Sequence, residues 1–497
     1  MHAILQILQV IGILLLVFGV FSLLIIVHEW GHFLAAKWRG LKIDRFQVWF
    51  GKPIWKFTRG GVQYGLGWIP FGGFVSIPQM APMEAIEGKT NAKANSRDLP
   101  PVSSRDKIIV AFAGPLFSFL LAVFCALIVW VVGKPAPDQA TATEVGHVMP
   151  GSVAAEAGIL AGDKILWANG EKVRRIHGMI DSLDWHVVAS ETPEVQIRFE
   201  RDGTVMTRTL ALSQDDIDTS GSTKSDKSWW KKTLSFIFHR PPLPDTGILG
   251  RERPCVGEVM PHSPAAEAGM EIGDLVVAMN GEPVLNRLQI GDFLYNENPE
   301  SVQLTFLRGD QTRTVTLRPR LPEKRPAEVE RPMVGLVWDE FGKGRLEYIN
   351  PGVQIAESVT MMQNTLGAIF NPASEVGPTH LNSAVGIMRL YYRLFEHQDG
   401  WRLVLWFSVV LNINLAILNL LPIPLLDGGH IVMASLEGIF QRPLPIKSLK
   451  IIQTGTAVLL LGFMAVLALK DIGDIAAETQ FGAVIEFLPP NPSTSSG

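Results

Sequence analysis

Residues 25–38 read IIVHEWGHFLAAKW. Two histidines and a glutamate stand inside an apolar run that begins near Ile4. Ionisable side chains in a membrane-length segment are costly and persist where they have a task. His28 and His32 are separated by one helical turn, so on a helix both imidazoles share a face. An HExxH pattern of this kind holds one zinc ion through its histidines and sets the glutamate, here Glu29, beside it as a general base. HExxH also occurs by chance among surface residues at helix ends. The apolar flanks FSLLIIV and FLAA argue against that reading.

The surroundings of the motif are membrane-like. Hydrophobic residues make up 47% of the 497-residue chain and charged residues 19%, with a mean hydropathy of +0.21. A transmembrane helix needs about 20 mostly apolar residues. Four stretches meet this, near Ile4–Ala36, Ile108–Val132, Leu403–Leu421 and Ile451–Leu469. The first lacks a basic leader and a cleavage site, so it reads as a retained span rather than a signal peptide. Lys37, Arg39, Lys42, Arg45, Lys52, Lys56 and Arg59 follow the first span, and Arg442, Lys447 and Lys450 precede the fourth. Basic loops face the cytoplasm, so the segment 133–402 and both termini are expected on the other side. The net charge of −4 does not suggest nucleic-acid binding. Two cysteines, Cys125 and Cys255, in dissimilar surroundings supply neither a disulfide framework nor a cysteine-based zinc site.

The large extramembrane segment contains a repeat. Residues 145–173, VGHVMPGSVAAEAGILAGDKILWANGEKV, align without gaps to 256–284, VGEVMPHSPAAEAGMEIGDLVVAMNGEPV. VQIRFERDGTVMTRTLAL from Val195 matches VQLTFLRGDQTRTVTLRP from Val302, each reading as a hairpin. The duplicated α/β unit resembles PDZ domains, which bind extended peptides by strand addition; a ligand-free spacer is the alternative. Between the units, Trp229, Trp230, Phe236 and Phe238 are expected either at the membrane surface or packed between the modules.

Catalytic zinc commonly takes three protein ligands. Asp427 stands just past the third apolar run in NLLPIPLLDGGH, residues 419–430. A carboxylate there is costly unless it is paired or metal-bound. Alone it reads equally well as an interfacial turn residue, and His430 is a rival ligand better placed as a neighbouring group.

HExxH in the first span with N-x-x-P-x-P-x-L-D-G-G at Asn419–Gly429 resembles the site-2 protease family of intramembrane zinc metalloproteases. The resemblance covers nearly the whole chain. It implies one zinc per chain held by His28, His32 and Asp427, with Glu29 as the catalytic base. It implies that GWIPFGGFV, Gly67 to Val75, is a hairpin dipping into the membrane, placing Gly67, Pro70, Gly72, Gly73 and Phe74 near substrate. Asn414 and Asn419 are implicated in substrate handling, against helix–helix hydrogen bonding as the other reading. AGP at Ala113–Pro115 matches a family motif, but Ser118 stands where related proteins carry asparagine, which puts a direct catalytic role there in doubt.

The expected fold is a four-span α-helical membrane protein with a membrane-dipping β-hairpin and two inserted α/β PDZ-like domains. Its expected order is a first span (1–36), a reentrant β-loop region (37–107), a second span (108–132), a first module with linker (136–250) and a second module (251–322). Connecting helices (323–402), a third span carrying the LDGG motif (403–430), a cytoplasmic loop (431–450), a fourth span (451–470) and a periplasmic tail (471–497) complete it. The resemblance implies a bacterial inner-membrane enzyme. Its substrate would be a single-span protein such as an anti-sigma factor, first trimmed by another protease, or a leftover signal peptide. A membrane scaffold with a dead metal site, or a zinc transporter, are the competing classes; an intact Glu29 favours the enzyme.

Overall fold

The computed structural model describes residues 2–80, 100, 102–136, 142–190, 192–212, 243–325, 329–339, 345–371, 374, 376–397, 399–442, 446–481, 485, 487 and 488. The aromatic linker around Trp229, Trp230, Phe236 and Phe238 lies outside them, as does the segment 489–497. The chain forms two compact units. One comprises Met1–Lys134, Tyr348–Met362 and Asn382–Asp471; the other comprises Pro135–Glu347, Gln363–Leu381 and Ile472–Gly497.

Helices His2–Trp38, Ser104–Val132 and Gly400–Asn419 of the first unit, and Ile446–Phe481, which runs on past that unit's end at Asp471, carry the four stretches that are long and apolar enough to cross a membrane. The second helix packs against the first, the third and a further helix, Asp427–Phe440. Lipid offers no hydrophobic drive between helices, so close packing of small residues has to hold them. The buried face of Ser104–Val132 is made so: Ala111, Ala113, Gly114, Ser118, Ala122 and Ala126. Gly31 of the first helix lies so near the Ala113 carbonyl that a Cβ would collide with it. Large apolar side chains instead face outward, Leu15 at 68%, Val131 at 73% and Leu459 at 72% exposure, as a lipid-facing surface requires. At the basic end of the first helix, Arg39 Nε pairs with Asp106 Oδ1 at 2.5 Å, and Lys107 Nζ pairs with Glu437 Oε2 at 2.6 Å.

The segment after the first helix folds into strands Arg45–Arg59 and Val62–Ser76. GWIPFGGFV is part of the second strand, so the β-structure is larger than those nine residues. Both strands bend back on themselves. Arg45–Val48 register against Ser76–Gly73 on one side and Gln63–Leu66 on the other, while Trp55–Arg59 register against Leu66–Val62. Positive φ at Trp49 (65°), Gly51 (90°) and Gly72 (66°) makes the bend. Gln47, 1% exposed, pins it by donating from Nε2 to the carbonyls of Trp49 (3.0 Å) and Gly51 (2.8 Å). Trp49 Nε1 donates to Ser22 Oγ at 3.0 Å, fastening the bend to the first helix.

The third helix differs from the expected span over 403–430. It stops at Asn419, and a separate helix begins at Asp427 and runs to Phe440, through much of the expected loop 431–450. Pro422 and Pro424 remove backbone donors and disfavour α geometry in the residues before them. Gly428 and Gly429 then let the new helix sit directly on the Leu420 and Ile423 carbonyls, where any Cβ would clash. Asp427 thus opens a helix instead of trailing one.

The second unit contains the duplicated modules. Each has a four-stranded antiparallel sheet, built from strands Lys164–Ala168, Glu171–Lys172, Glu194–Arg201 and Thr204–Ala211 in the first. The second uses Leu275–Met279, Glu282–Pro283, Val302–Arg308 and Gln311–Leu317. The repeat extends to polar anchors. Arg201 grips the buried Asp163 with Nε and Nη2 at 2.6 Å each, and Arg308 grips Asp274 in the same way at 2.7 Å. Each module also has a two-stranded element that closes late. Val145–Val148 pairs with Ile248–Gly250, and Val256–Val259 pairs with Leu336–Trp338, beyond residue 322 where the repeat suggested an end.

Candidate metal centre

The first helix holds HExxH because its neighbours are helix-compatible and apolar; the Asp427 helix meets it across the second helix. His28 Nε2 lies 3.3 Å from Asp427 Oδ2 and 3.3 Å from His32 Nε2, and His32 Nε2 lies 3.4 Å from Asp427 Oδ1. Among the described residues this is the one group of three or more metal-ligating side chains that converge.

The far side of each ring is also fixed. The Val110 carbonyl sits 2.8 Å from His32 Nδ1 and can only accept, so Nδ1 carries the proton and a neutral His32 presents a bare Nε2. Ser118 Oγ, fully buried, lies 3.0 Å from His28 Nδ1, and its hydroxyl can accept from a protonated Nδ1 or donate to a bare one. With His28 in the same tautomer, two imidazole lone pairs and a carboxylate face one another, a repulsive set unless a cation stands between them. Zinc–ligand bonds of about 2.0–2.1 Å at tetrahedral angles separate ligand atoms by about 3.3 Å, the size of the Nε2–Nε2 separation and of the approach of each Nε2 to one carboxylate oxygen, Oδ2 for His28 and Oδ1 for His32. The residues present therefore fit zinc. Gly114 completes the fit: a Cβ there would collide with His32 Nε2 and crowd His28 Cε1.

A cleft of about 310 Å³ opens on these atoms. Glu29, Gly72, Gly73, Phe74, Asn419 and His430 line it with His28, His32 and Asp427. Gly73 is close enough to Glu29 that an added Cβ would stand 3.1 Å from Glu29 Cγ, so the strand's lack of a side chain keeps backbone open beside the carboxylate. His430 is outside the ligating triad, and its Nδ1 is buried without a partner among the described residues.

Three expected substrate residues stand elsewhere. Gly67 is pressed against the Trp49 and Phe50 carbonyls, a packing reason for glycine. Neither it, Pro70 nor Asn414 lines the cleft. The Asn414 Oδ1 is buried with no partner among the described residues. Sequence reasoning missed the Val110 carbonyl and Gln47, and it set Ser118 aside. Gly114 and Ser118 are one turn apart in AGPLFS, the only local sign that they share a face.

Comparison with known proteins gives the family. The sequence profile of Peptidase family M50 matches residues 16–463. A protein of Neisseria meningitidis serogroup A that bears the name of a zinc metalloprotease is 29% identical over 91% of this chain and 97% of its own. The regulator of sigma-E protease RseP of Escherichia coli K12 is 27% identical over 85% of this chain and 90% of its own. The regulator of sigma E protease of Haemophilus influenzae is 26% identical over the same shares, 85% and 90%. With a zinc-shaped ligand set between apolar helices and a matching profile over most of its length, the chain belongs to peptidase family M50, the site-2 proteases, and is a zinc metalloprotease of the membrane.

Proposed function

We propose that the protein hydrolyses peptide bonds within the membrane segments of single-span proteins, using His28, His32 and Asp427 as zinc ligands and Glu29 as base. The observation that carries this reading is the convergence of the two Nε2 atoms and the Asp427 carboxylate at contacts of 3.3–3.4 Å, with Glu29 lining the same cleft, next to helices apolar enough to cross a membrane. A zinc ion held there supplies Lewis-acid polarisation of a carbonyl and of water. Glu29 takes the proton from the attacking water and passes it to the leaving amine. The Val110 carbonyl holds His32 in the ligating tautomer, and Ser118 is the outer partner that orients the His28 ring.

A substrate helix hides its carbonyls in its own hydrogen bonds. The Gly72–Phe74 edge lines the cleft and offers backbone to an unwound segment in the manner of strand addition. Asn419, which lines the cleft, takes a freed polar group; Asn414 does not line it. The bend at Trp49–Gly51 and Gly72 supports a hairpin that dips to the depth of the site. Non-helical backbone is tolerated there where it lines a cavity.

The duplicated modules are read as PDZ domains on the periplasmic side of a bacterial inner membrane. In the second, a cleft of about 360 Å³ runs between helix Arg287–Glu297 and strand Leu336–Trp338, where such domains take peptides. The modules exclude substrates with bulky periplasmic domains, or hold newly exposed C-termini. The relatives named as regulators of sigma-E protease support an anti-sigma factor as substrate. Leftover signal peptides are a second substrate class.

Purified protein in lipid vesicles is expected to cleave a tagged single-span substrate, to stop when a chelator removes its metal, and to recover with about one equivalent of zinc per chain. Undiminished cleavage by metal-free protein would contradict the mechanism. Two substitutions probe the ligand supports. Ser118→Ala is expected to weaken zinc binding by roughly 10–100-fold, read by chelator competition, because His28 loses its outer partner. Gly114→Ala is expected to displace His32 and lower both zinc content and cleavage, whereas alanine at Gly455, which has open space, should change neither.

A further inference from the structure

The family profile stops at residue 463, yet the chain continues. Beyond the helix ending at Phe481, Phe487 is buried to 3% exposure within the second unit. It lies against Gly335 of the second module: a Cβ on Gly335 would stand 3.1 Å from Phe487 Cε2 and would strike Ser263. The Arg320 guanidinium stands over its ring, 5.5 Å from the centroid, within cation–π range. The next residue is held as well, the Leu488 N–H donating to Glu323 Oε2 at 2.8 Å. That bond holds the Glu323 carboxyl below its ordinary value.

This seat adjoins the module's peptide-sized cleft without being part of it. Met333, Val334, Gly335 and Leu336 line the cleft, whereas Phe487 does not. The same stretch is anchored by backbone bonds: Met260 N–H to the Gly335 carbonyl (2.9 Å), Ala265 N–H to Val334 (3.0 Å), and Met333 and Arg320 to each other (2.9 and 3.1 Å). The first module repeats the anchorage, with Met149 N–H to Gly247 (2.9 Å) and Ala154 N–H to Thr246 (3.2 Å), and Gly247 abuts Ser152 as Gly335 abuts Ser263. The atoms nearest a Cβ at Gly247 belong to Ser152 and Met149, where Phe487 is among the nearest at Gly335. The counterpart of Arg320 in the repeat register is Ser213.

We infer that the segment bearing Phe487 and Leu488 is an intrachain strap. It is seated on the second module with Phe487 as anchor, and it sets how readily the Met333–Leu336 stretch opens the adjoining cleft. Among the described residues no such segment is seated at Gly247, so the first module serves as the internal comparison. The inference stands whatever the cleft binds.

Hydrogen exchange on the full chain in detergent tests it. In Phe487→Ala and in a chain ending at Phe481, the Met260, Ala265 and Met333 amides are expected to exchange at least about tenfold faster, as a locally loosened element does. Met149 and Ala154 should keep their rates. Phe487→Leu, which refills the seat, should restore most of the protection, and Arg320→Ala should fall between. Unchanged rates in the second module would overturn the proposal. Equal acceleration at Met149 and Ala154 would overturn it too, since the effect would then be general destabilisation.

Discussion

Replacing Glu29 by glutamine is expected to lower cleavage of a single-span substrate by roughly 10²–10⁴-fold while zinc content stays near that of the unaltered protein. Glutamine keeps the shape of the side chain that lines the cleft beside Gly73 but cannot accept a proton from water. The ligand triangle of His28, His32 and Asp427 does not include Glu29, so the metal should remain. Rates followed by gel with metal content by mass spectrometry separate the two effects. Cleavage equal to that of the unaltered protein would remove Glu29 from the mechanism.

Asp427→Ala is expected to fail differently, losing metal and activity together. It removes the only carboxylate of the triangle, which sits 3.3 and 3.4 Å from the two Nε2 atoms. The charge balance goes with it, and two neutral imidazoles facing each other in an apolar setting hold a dication poorly. The fall in zinc affinity should exceed the 10–100-fold typical of lost outer partners. It should therefore exceed that of Ser118→Ala in the same chelator titration. Full zinc occupancy in Asp427→Ala would show that the ligand set has been misassigned.

What the sequence made legible follows from how local each signal is. HExxH encodes its geometry in one helical turn, so His28, Glu29 and His32 could be read directly. The repeat announced itself because two copies share their turns, down to Gly158 and Gly269 at positive φ of 76° and 71°. Ser118 against His28 and Val110 against His32 depend on the register between two helices, and no local pattern carries that. The break between Asn419 and Asp427 was written in Pro422 and Pro424, yet nothing local showed that a new helix would start at Asp427. The closing strands Ile248–Gly250 and Leu336–Trp338 are three residues each, too short for a period to show. The folded-back hairpin register likewise depends on positive φ at Trp49, which no residue preference foretells.

The central claim is that zinc and Glu29 cut a polypeptide at membrane depth. Mass-spectrometric mapping of the new termini tests it most directly, using a single-span substrate cleaved by the full chain in lipid vesicles, with Glu29→Gln in parallel. The account predicts termini inside the apolar segment of the substrate, absent with Glu29→Gln. Termini confined to the polar flanks, or the same termini with Glu29→Gln, would contradict it.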